Sequence, residues 1–410
     1  MKEPLIHTFS NGFRLVYWHI PDAEVGHLGV TIEAGTRDEL PKEHGLAHYI
    51  EHCIFKGTVK RKAYHILSRL DAVGGELNAY TTKEETCVYG SFQSMHFERT
   101  MELIADITTN STFPYREIEK EKAVIIDEIK SYKDSPDEML FEEFEELLFN
   151  GHPLANSILG TSSSVKKFKR EDIMNYICRN YHPSRMVLSA VGSPSPKKVI
   201  KWAEKYFQYF PASTQMRERV QPIPVKPFYI HKKKKIYQPN CLIGAPAYSA
   251  KDDRRTAMVL LNNILGGPGM NNRLSLNIRE KYGITYNIES NYNLYSDTGL
   301  FSVYYGCDAS SVSRVTDLVM VELKKMREIP LGKIQLQQAK QQLKGYIALS
   351  QESRLSMMLG LGKTLLLFNE IDPIQEFYHK IDIITAEDIQ AIAQEVFAEN
   401  NLSSLYYLPA

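Results

Sequence analysis

Gly45-Leu46-Ala47-His48-Tyr49-Ile50-Glu51-His52 lies inside a stretch, from about Lys42 to Phe55, whose spacing predicts a helix. Residues four apart on a helix stand one turn above each other, so the His48 and His52 imidazoles can converge on one metal ion. Glu51, three after His48, shares that face and can reach a water bound to the same ion. Leu46, Tyr49 and Ile50 occupy the opposite face, which makes the helix half-buried with its polar side turned toward something. Imidazole and carboxylate ligands suit zinc and leave an open position where bound water is acidified toward neutrality. A carboxylate beside that water takes its proton as it attacks a carbonyl. The bland reading is an exposed polar face with two unrelated histidines. With 12 histidines and 49 acidic residues in 410, chance supplies about 0.04 matches to His-x-x-acid-His, so the motif is suggestive and its surroundings decide.

A catalytic zinc needs a third protein ligand. Glu121 and Glu128 are seven apart in the helical stretch Ile118 to Lys133, two turns along one face, so either is a candidate ligand and the other an outer partner. Solvated surface glutamates are the competing reading.

Further out, 410 residues suggest two domains, and equal counts of 49 basic and 49 acidic residues give no overall field for nucleic acid or an anionic membrane. The opening MKEPLIHTFSNGFRLVYW lacks the basic and apolar regions of a secretory signal, and no stretch nears the ~18 apolar residues of a membrane span, so a cytoplasmic protein is expected. Cys53, Cys87, Cys178, Cys241 and Cys307 are scattered without a CxxC pair and read as reduced thiols. Phe13–Trp18 and His27–Ala34 read as an opening antiparallel hairpin. Between Pro211 and Lys235, prolines and the run Lys232–Lys235 suggest a linker. After it the order of elements repeats with a period of about 210 residues. The expected division is 1–215, a linker at 216–235, and 236–410. The acidic run Asp137–Glu146 reads as a solvated helix face, Gly266–Gly269 as a turn, and Met357-Met358-Leu359 as helix core.

Gly45 to His52 running into Phe55-Lys-Gly-Thr58, and Glu121-Lys-Ala-Val-Ile-Ile-Asp-Glu128-Ile129 downstream, resemble the inverted-motif zinc peptidases, or inverzincins, the family of pitrilysin, insulin-degrading enzyme and the mitochondrial processing peptidase. The resemblance spans essentially the whole chain. It implies an α+β fold of two homologous domains of one topology, each a mostly antiparallel sheet packed with helices, the mitochondrial-processing-peptidase/LuxS-like metallohydrolase fold. It also implies that His48, His52 and Glu128 ligate one zinc per chain, that Glu51 is the general base and Glu121 the supporting carboxylate. Asn78-Ala79-Tyr80-Thr81 resembles the edge strand on which the family pairs substrate backbone. Arg279-Glu-Lys-Tyr-Gly-Ile-Thr-Tyr286 resembles the family's Arg and Tyr that face the bound peptide from the domain without metal. His152-Pro153-Leu154 with Gly160-Thr161, and Tyr181-His182-Pro183, are lesser matches.

The expectation that results is a zinc endopeptidase for short or unfolded peptides, working in a chamber closed by two chains. A homodimer is expected, with a heterodimer with an inactive paralogue as the alternative, and with neither nucleic acid nor membrane as partner. From Lys232 onward His379 is the only histidine, so the second half assists or covers. Two rival readings are an inactive structural subunit of the same fold and a two-histidine, one-carboxylate iron oxygenase; processing of targeting presequences is a narrower alternative within the peptidase class.

Overall fold

The structure, a computed structural model, describes residues 3–208, 210, 218–223 and 225–410. They form two compact units, and each unit includes a helix from the other half of the sequence.

The first unit comprises Met1–Ser131, Asn156–Val220 and Leu349–Ile371. Its strands are β1 (Leu5–Thr8), β2 (Arg14–His19), β3 (Val25–Ile32), β4 (Glu76–Thr81), β5 (Thr86–Gln93) and β6 (Met186–Gly192). They lie in the order β1-β2-β6-β3-β5-β4, antiparallel except where β2 runs parallel to β6. The hairpin expected between β2 and β3 is therefore corrected: β6, from more than 150 residues later, takes the backbone hydrogen bonds on one side of each. The Asn11-Gly12 turn instead joins β1 to β2, with Gly12 at φ +86°, where a residue with a Cβ is strained.

One face of this sheet carries the main core, in which Leu46, Tyr49 and Ile50 of the helix Leu46–Ile54 pack with Leu28, Val30, Met101 and Ile125. On the other face the helix Arg354–Phe368 packs on β6 and β3 through Met358, Leu361 and Leu365. A Cβ at Gly362 would meet Thr31 Oγ1 at 2.7 Å and Ser189 Oγ at 2.9 Å, so this helix sets its backbone directly on the sheet. With both faces covered, every residue of β6 is buried and its sequence loses the in/out alternation of a half-buried strand.

The second unit comprises Tyr132–Ala155, Gln221–Ala348 and Asp372–Ala410. Its strands β7 (Tyr229–Lys234), β8 (Asn240–Ala247), β9 (Thr285–Leu294), β10 (Gly299–Cys307) and β11 (Ser403–Pro409) lie in the order β7-β11-β8-β10-β9. Only β7 and β11 are parallel. Place for place this is the β2-β6-β3-β5-β4 arrangement, so the two units share one topology and the α+β expectation holds. The helix Pro136–Leu148 packs on β8 and β11, with Leu140 and Phe144 against Leu242, Leu300 and Leu405. Its acidic run thus has an apolar side that belongs to a core.

Part of the stretch expected as a linker is β7, an edge strand. Its lysines alternate in exposure, and Lys232 and Lys234 both pair with Glu143. Lysines along an edge strand oppose pairing with another chain, which accounts for a run that composition alone reads as linker. Pro211, Pro224 and residues 216 and 217 of the expected linker lie outside the described residues. Among the described residues no helix is long and apolar enough to cross a membrane, and all five cysteines are free.

Candidate active site

The helix Leu46–Ile54 starts at Gly45, whose φ of +91° disfavours any residue with a Cβ. Gly160, at φ +69°, meets it backbone to backbone: a Cβ on Gly160 would stand 2.5 Å from His44 O and 2.7 Å from Gly45 Cα. The Glu39 carboxylate accepts hydrogen bonds from Gly45 N at 2.9 Å and Ala47 N at 2.8 Å. It thereby satisfies donors that a helix start leaves unpaired. Burial pushes the Glu39 carboxyl well above its usual range, against the pull of those backbone donors.

On the core side, Tyr49 Oη donates to Ile118 O at 2.6 Å, tying this helix to the helix Tyr115–Lys133. That contact brings the two polar faces together. His48, His52 and Glu128 each offer one ligand atom, all within 4.8 Å of one another. His48 Nε2 lies 3.7 Å from Glu128 Oε1, and His52 Nε2 lies 3.3 Å from Glu128 Oε2. Atoms bound at ~2.0–2.1 Å around a tetrahedral zinc stand roughly 3.3–3.4 Å apart; the His52 separation equals this, and the His48 separation, to the other Glu128 oxygen, is a few tenths of an ångström longer. Glu128 Oε2 is buried with no hydrogen bond among the described residues, an acceptor that a cation would satisfy. Two imidazoles and a carboxylate are a fitting donor set for zinc.

Glu121, the other of the two candidate third ligands, lies outside that cluster. Its Oε1 lies 3.2 Å from His52 Nδ1, and its Oε2 lies 2.8 Å from Lys56 Nζ. Burial raises its carboxyl, yet the hydrogen bonds to His52 and Lys56 outweigh this and the net direction is down. Burial holds His48 down at about 4, helped by the charge of His52. For His52 burial also works against the cation, but Glu121, Glu128 and Glu51 overcome it and the net direction is up. Glu51 is raised by burial, against the Thr81 hydroxyl and His52. Its carboxylate is not among the three clustered ligands and remains beside them on the same helix.

The strand β4 is the edge of its sheet, as expected for Asn78 to Thr81. Thr82 N bonds Glu85 O across the turn at 2.8 Å, and with the observed register the antiparallel alternation assigns Tyr80 and Asn78 to pairing with β5. Ala79 and Thr81 then turn their backbone N–H and C=O to the open edge. Arg279 and Tyr286 belong to the second unit. Arg279 sits in a π-helical turn, Ser275–Glu280, a feature common at functional sites, and Tyr286 is an exposed residue of β9. Two contributors escaped the sequence reading. Lys56 was visible only as part of a motif block, although its place four after His52 put it on the same side of the chain. For Glu39 no local pattern signals that it caps a helix several residues later.

A family described as insulinase, peptidase family M16, matches residues 14–162, and one described as the peptidase M16 inactive domain matches residues 167–343. A Bacillus subtilis protein described as the uncharacterized zinc protease YmxG is 31% identical, covering 96% of both chains. A Schizosaccharomyces pombe protein described as the probable mitochondrial-processing peptidase subunit beta is 28% identical over 97% of this chain and 89% of its own. Among solved structures, a peptidase M16 inactive domain from Pseudomonas fluorescens superposes with a TM-score of 0.92 at 18% identity, covering 99% of this chain and 98% of its own. That likeness concerns the fold.

Proposed function

The chain belongs to the insulinase family, peptidase family M16, and on that premise we propose that it is a zinc-dependent endopeptidase that cleaves short or unfolded peptides. One observation carries the reading: His48, His52 and Glu128 converge from two helices while Glu51 lies outside that cluster on the same helix as the histidines and a sheet edge lies open in the same unit. Zinc, when bound there, supplies a Lewis acid that polarises the peptide carbonyl and makes water acidic near neutrality. His48, His52 and Glu128 would hold it. The substrate lies along β4 as an added strand, with its backbone paired to the outward groups of Ala79 and Thr81 and with Asn78 beside it. That pairing selects extended chain and ignores most side chains. The Glu51 carboxylate takes the proton of the attacking water and returns it to the amine as the peptide bond breaks. Arg279 and Tyr286 hold the peptide or its developing oxyanion, from the same chain or a partner chain.

A homodimer of facing chains, enclosing the substrate and excluding folded proteins by size, completes the proposal, and a cytoplasmic location goes with it. The fission-yeast relative's name supports a narrower form, the processing of targeting presequences. Purified protein incubated with a mixed peptide library, with and without chelator, tests the reading when the cuts are mapped by mass spectrometry. Cleavage abolished by chelator and by Glu51→Gln, with zinc still bound in the variant, is expected. Full activity of zinc-loaded Glu51→Gln would remove Glu51 as the base, and an inert wild type with no bound zinc would favour a structural subunit.

A further inference from the structure

We infer that Lys56 is a positioning residue for the metal site, acting on His52 through Glu121; the inference rests on the zinc reading of His48, His52 and Glu128. The Glu121 carboxylate has two distinct neighbours, one per oxygen: His52 Nδ1 at 3.2 Å from Oε1 and Lys56 Nζ at 2.8 Å from Oε2. Among the described residues Glu121 is the one ionic partner of the Lys56 ammonium. Lys56 follows directly on the end of the metal helix. Phe55 closes that helix, and Lys56 N bonds back to Cys53 O at 3.1 Å, so its side chain rises on the side of His52, one turn earlier.

Two physical consequences follow from that arrangement. The first is orientation. Glu121 accepts from His52 only when Nδ1 carries a proton, which leaves the lone pair on Nε2, the nitrogen 3.3 Å from Glu128 Oε2. A carboxylate with a single partner can rotate and offer either oxygen. Lys56 occupies Oε2 and leaves Oε1 as the one that faces the imidazole. The second is charge. Glu51, Glu121 and Glu128 bring three negative charges to one half-buried place, and a divalent ion cancels two. Lys56, with 28% of its side chain exposed and Glu121 with 9%, is positioned to cancel the third in surroundings where screening by water is weak.

The experiment is a zinc competition titration of the full-length apo-protein against a chromophoric chelator, for wild type, Lys56→Met, Lys56→Arg, Glu121→Gln and the double variant Lys56→Met/Glu121→Gln. Thermal melts of the apo forms check folding. Loss of an outer partner lowers metal affinity about 10–100-fold, the drop expected for Glu121→Gln. Lys56→Met should lose roughly tenfold, and Lys56→Arg, which keeps charge and donors, should recover most of it. The double variant should bind no more weakly than Glu121→Gln alone, because Lys56 then has nothing to position. A packing role would instead subtract the same factor in both backgrounds, and that result overturns the inference, as does wild-type affinity in Lys56→Met. If Lys56→Met does not fold, Lys56→Gln, with most of the stem and no charge, gives the same comparison. A wild-type chain without zinc affinity overturns both this inference and the zinc reading, whereas zinc-binding wild type with an indifferent Lys56 overturns this inference alone.

Discussion

Substituting Gly160 by alanine tests whether the metal helix is located by a backbone-to-backbone contact with a residue more than a hundred positions away. Gly160 has φ +69°, and its added Cβ would stand 2.5 Å from His44 O, 2.7 Å from Gly45 Cα and 3.0 Å from Gly45 N. All three are backbone atoms, and none can swing aside. Gly74, in the same unit, has nearly the same φ, +70°, but nothing within 4 Å of its Cβ position. Both alanine variants carry the left-handed backbone cost of about 1–2 kcal/mol. Only Gly160→Ala adds overpacking, typically about 1–3 kcal/mol. Against a usual stability of about 5–15 kcal/mol the difference is measurable. The two tryptophans, Trp18 and Trp202, both lie in the first unit, so urea unfolding followed by tryptophan fluorescence reports on that unit. Gly160→Ala should unfold at distinctly lower urea than Gly74→Ala and bind zinc more weakly, because Gly45 begins the helix that carries His48 and His52. Equal midpoints for the two variants would refute the reasoning.

Proline at position 79 removes an N–H assigned to the open edge of β4, so Ala79→Pro should keep its far-ultraviolet circular dichroism and zinc while KM for peptides rises roughly tenfold; Tyr80→Pro, which loses a bond to β5, should damage the sheet itself. An unchanged KM in Ala79→Pro would count against strand addition at β4. Because burial raises the Glu39 carboxyl, the folded chain holds that proton more tightly than the unfolded one. The associated stability is complete below the unfolded value of about 4.3 and declines as pH rises toward the folded value. Glu39→Gln lacks that proton, so its stability deficit against wild type should shrink between pH 5 and pH 8, and parallel urea midpoints at the two pH values would contradict this. Arg279→Ala should lower kcat/KM about 100-fold with zinc content unchanged, and undiminished hydrolysis would exclude Arg279 from substrate contact.

What the sequence disclosed was what local periodicity encodes. The four-residue spacing of His48 and His52, and the seven-residue spacing of Glu121 and Glu128, survive translation into a helix face without knowledge of the rest of the chain. The sequence left open which glutamate was ligand and which was support, and the family resemblance assigned them; in the structure Glu128 lies beside both imidazole Nε2 atoms and Glu121 beside His52 Nδ1. Long-range pairing was hidden. Nothing near β2 or β3 announces that β6 will enter between them. Composition misled at Lys232–Lys235, where charge suggested solvent and the two-residue alternation of an edge strand was the better signal. The helices Pro136–Leu148 and Arg354–Phe368 each belong to the unit formed mainly by the other half of the chain. A reading in consecutive blocks has no means of seeing that.

The shared topology also lets the helix pair that holds the candidate metal cluster be compared with its counterpart in the second unit. In each unit the third strand of the common order is followed by a helix, Leu46–Ile54 after β3 and Arg255–Gly266 after β8. A long helix comes later, Tyr115–Lys133 in the first unit and Lys333–Glu352 in the second, each just ahead of the exchanged helix. In the first unit the side-chain contacts between these two helices include His52 with Glu121 and with Glu128. In the second, Asn263 Nδ2 donates to Gln342 Oε1 at 3.3 Å. Both contacts satisfy polar groups between packed helices, so both serve the fold. Only the first offers imidazole nitrogens and carboxylate charge to a divalent cation; carboxamides are neutral and make poor zinc ligands. Amide in place of imidazole and carboxylate at this helix pair is thus one difference between the unit that holds the His48, His52 and Glu128 cluster and the unit that, among the described residues, holds none.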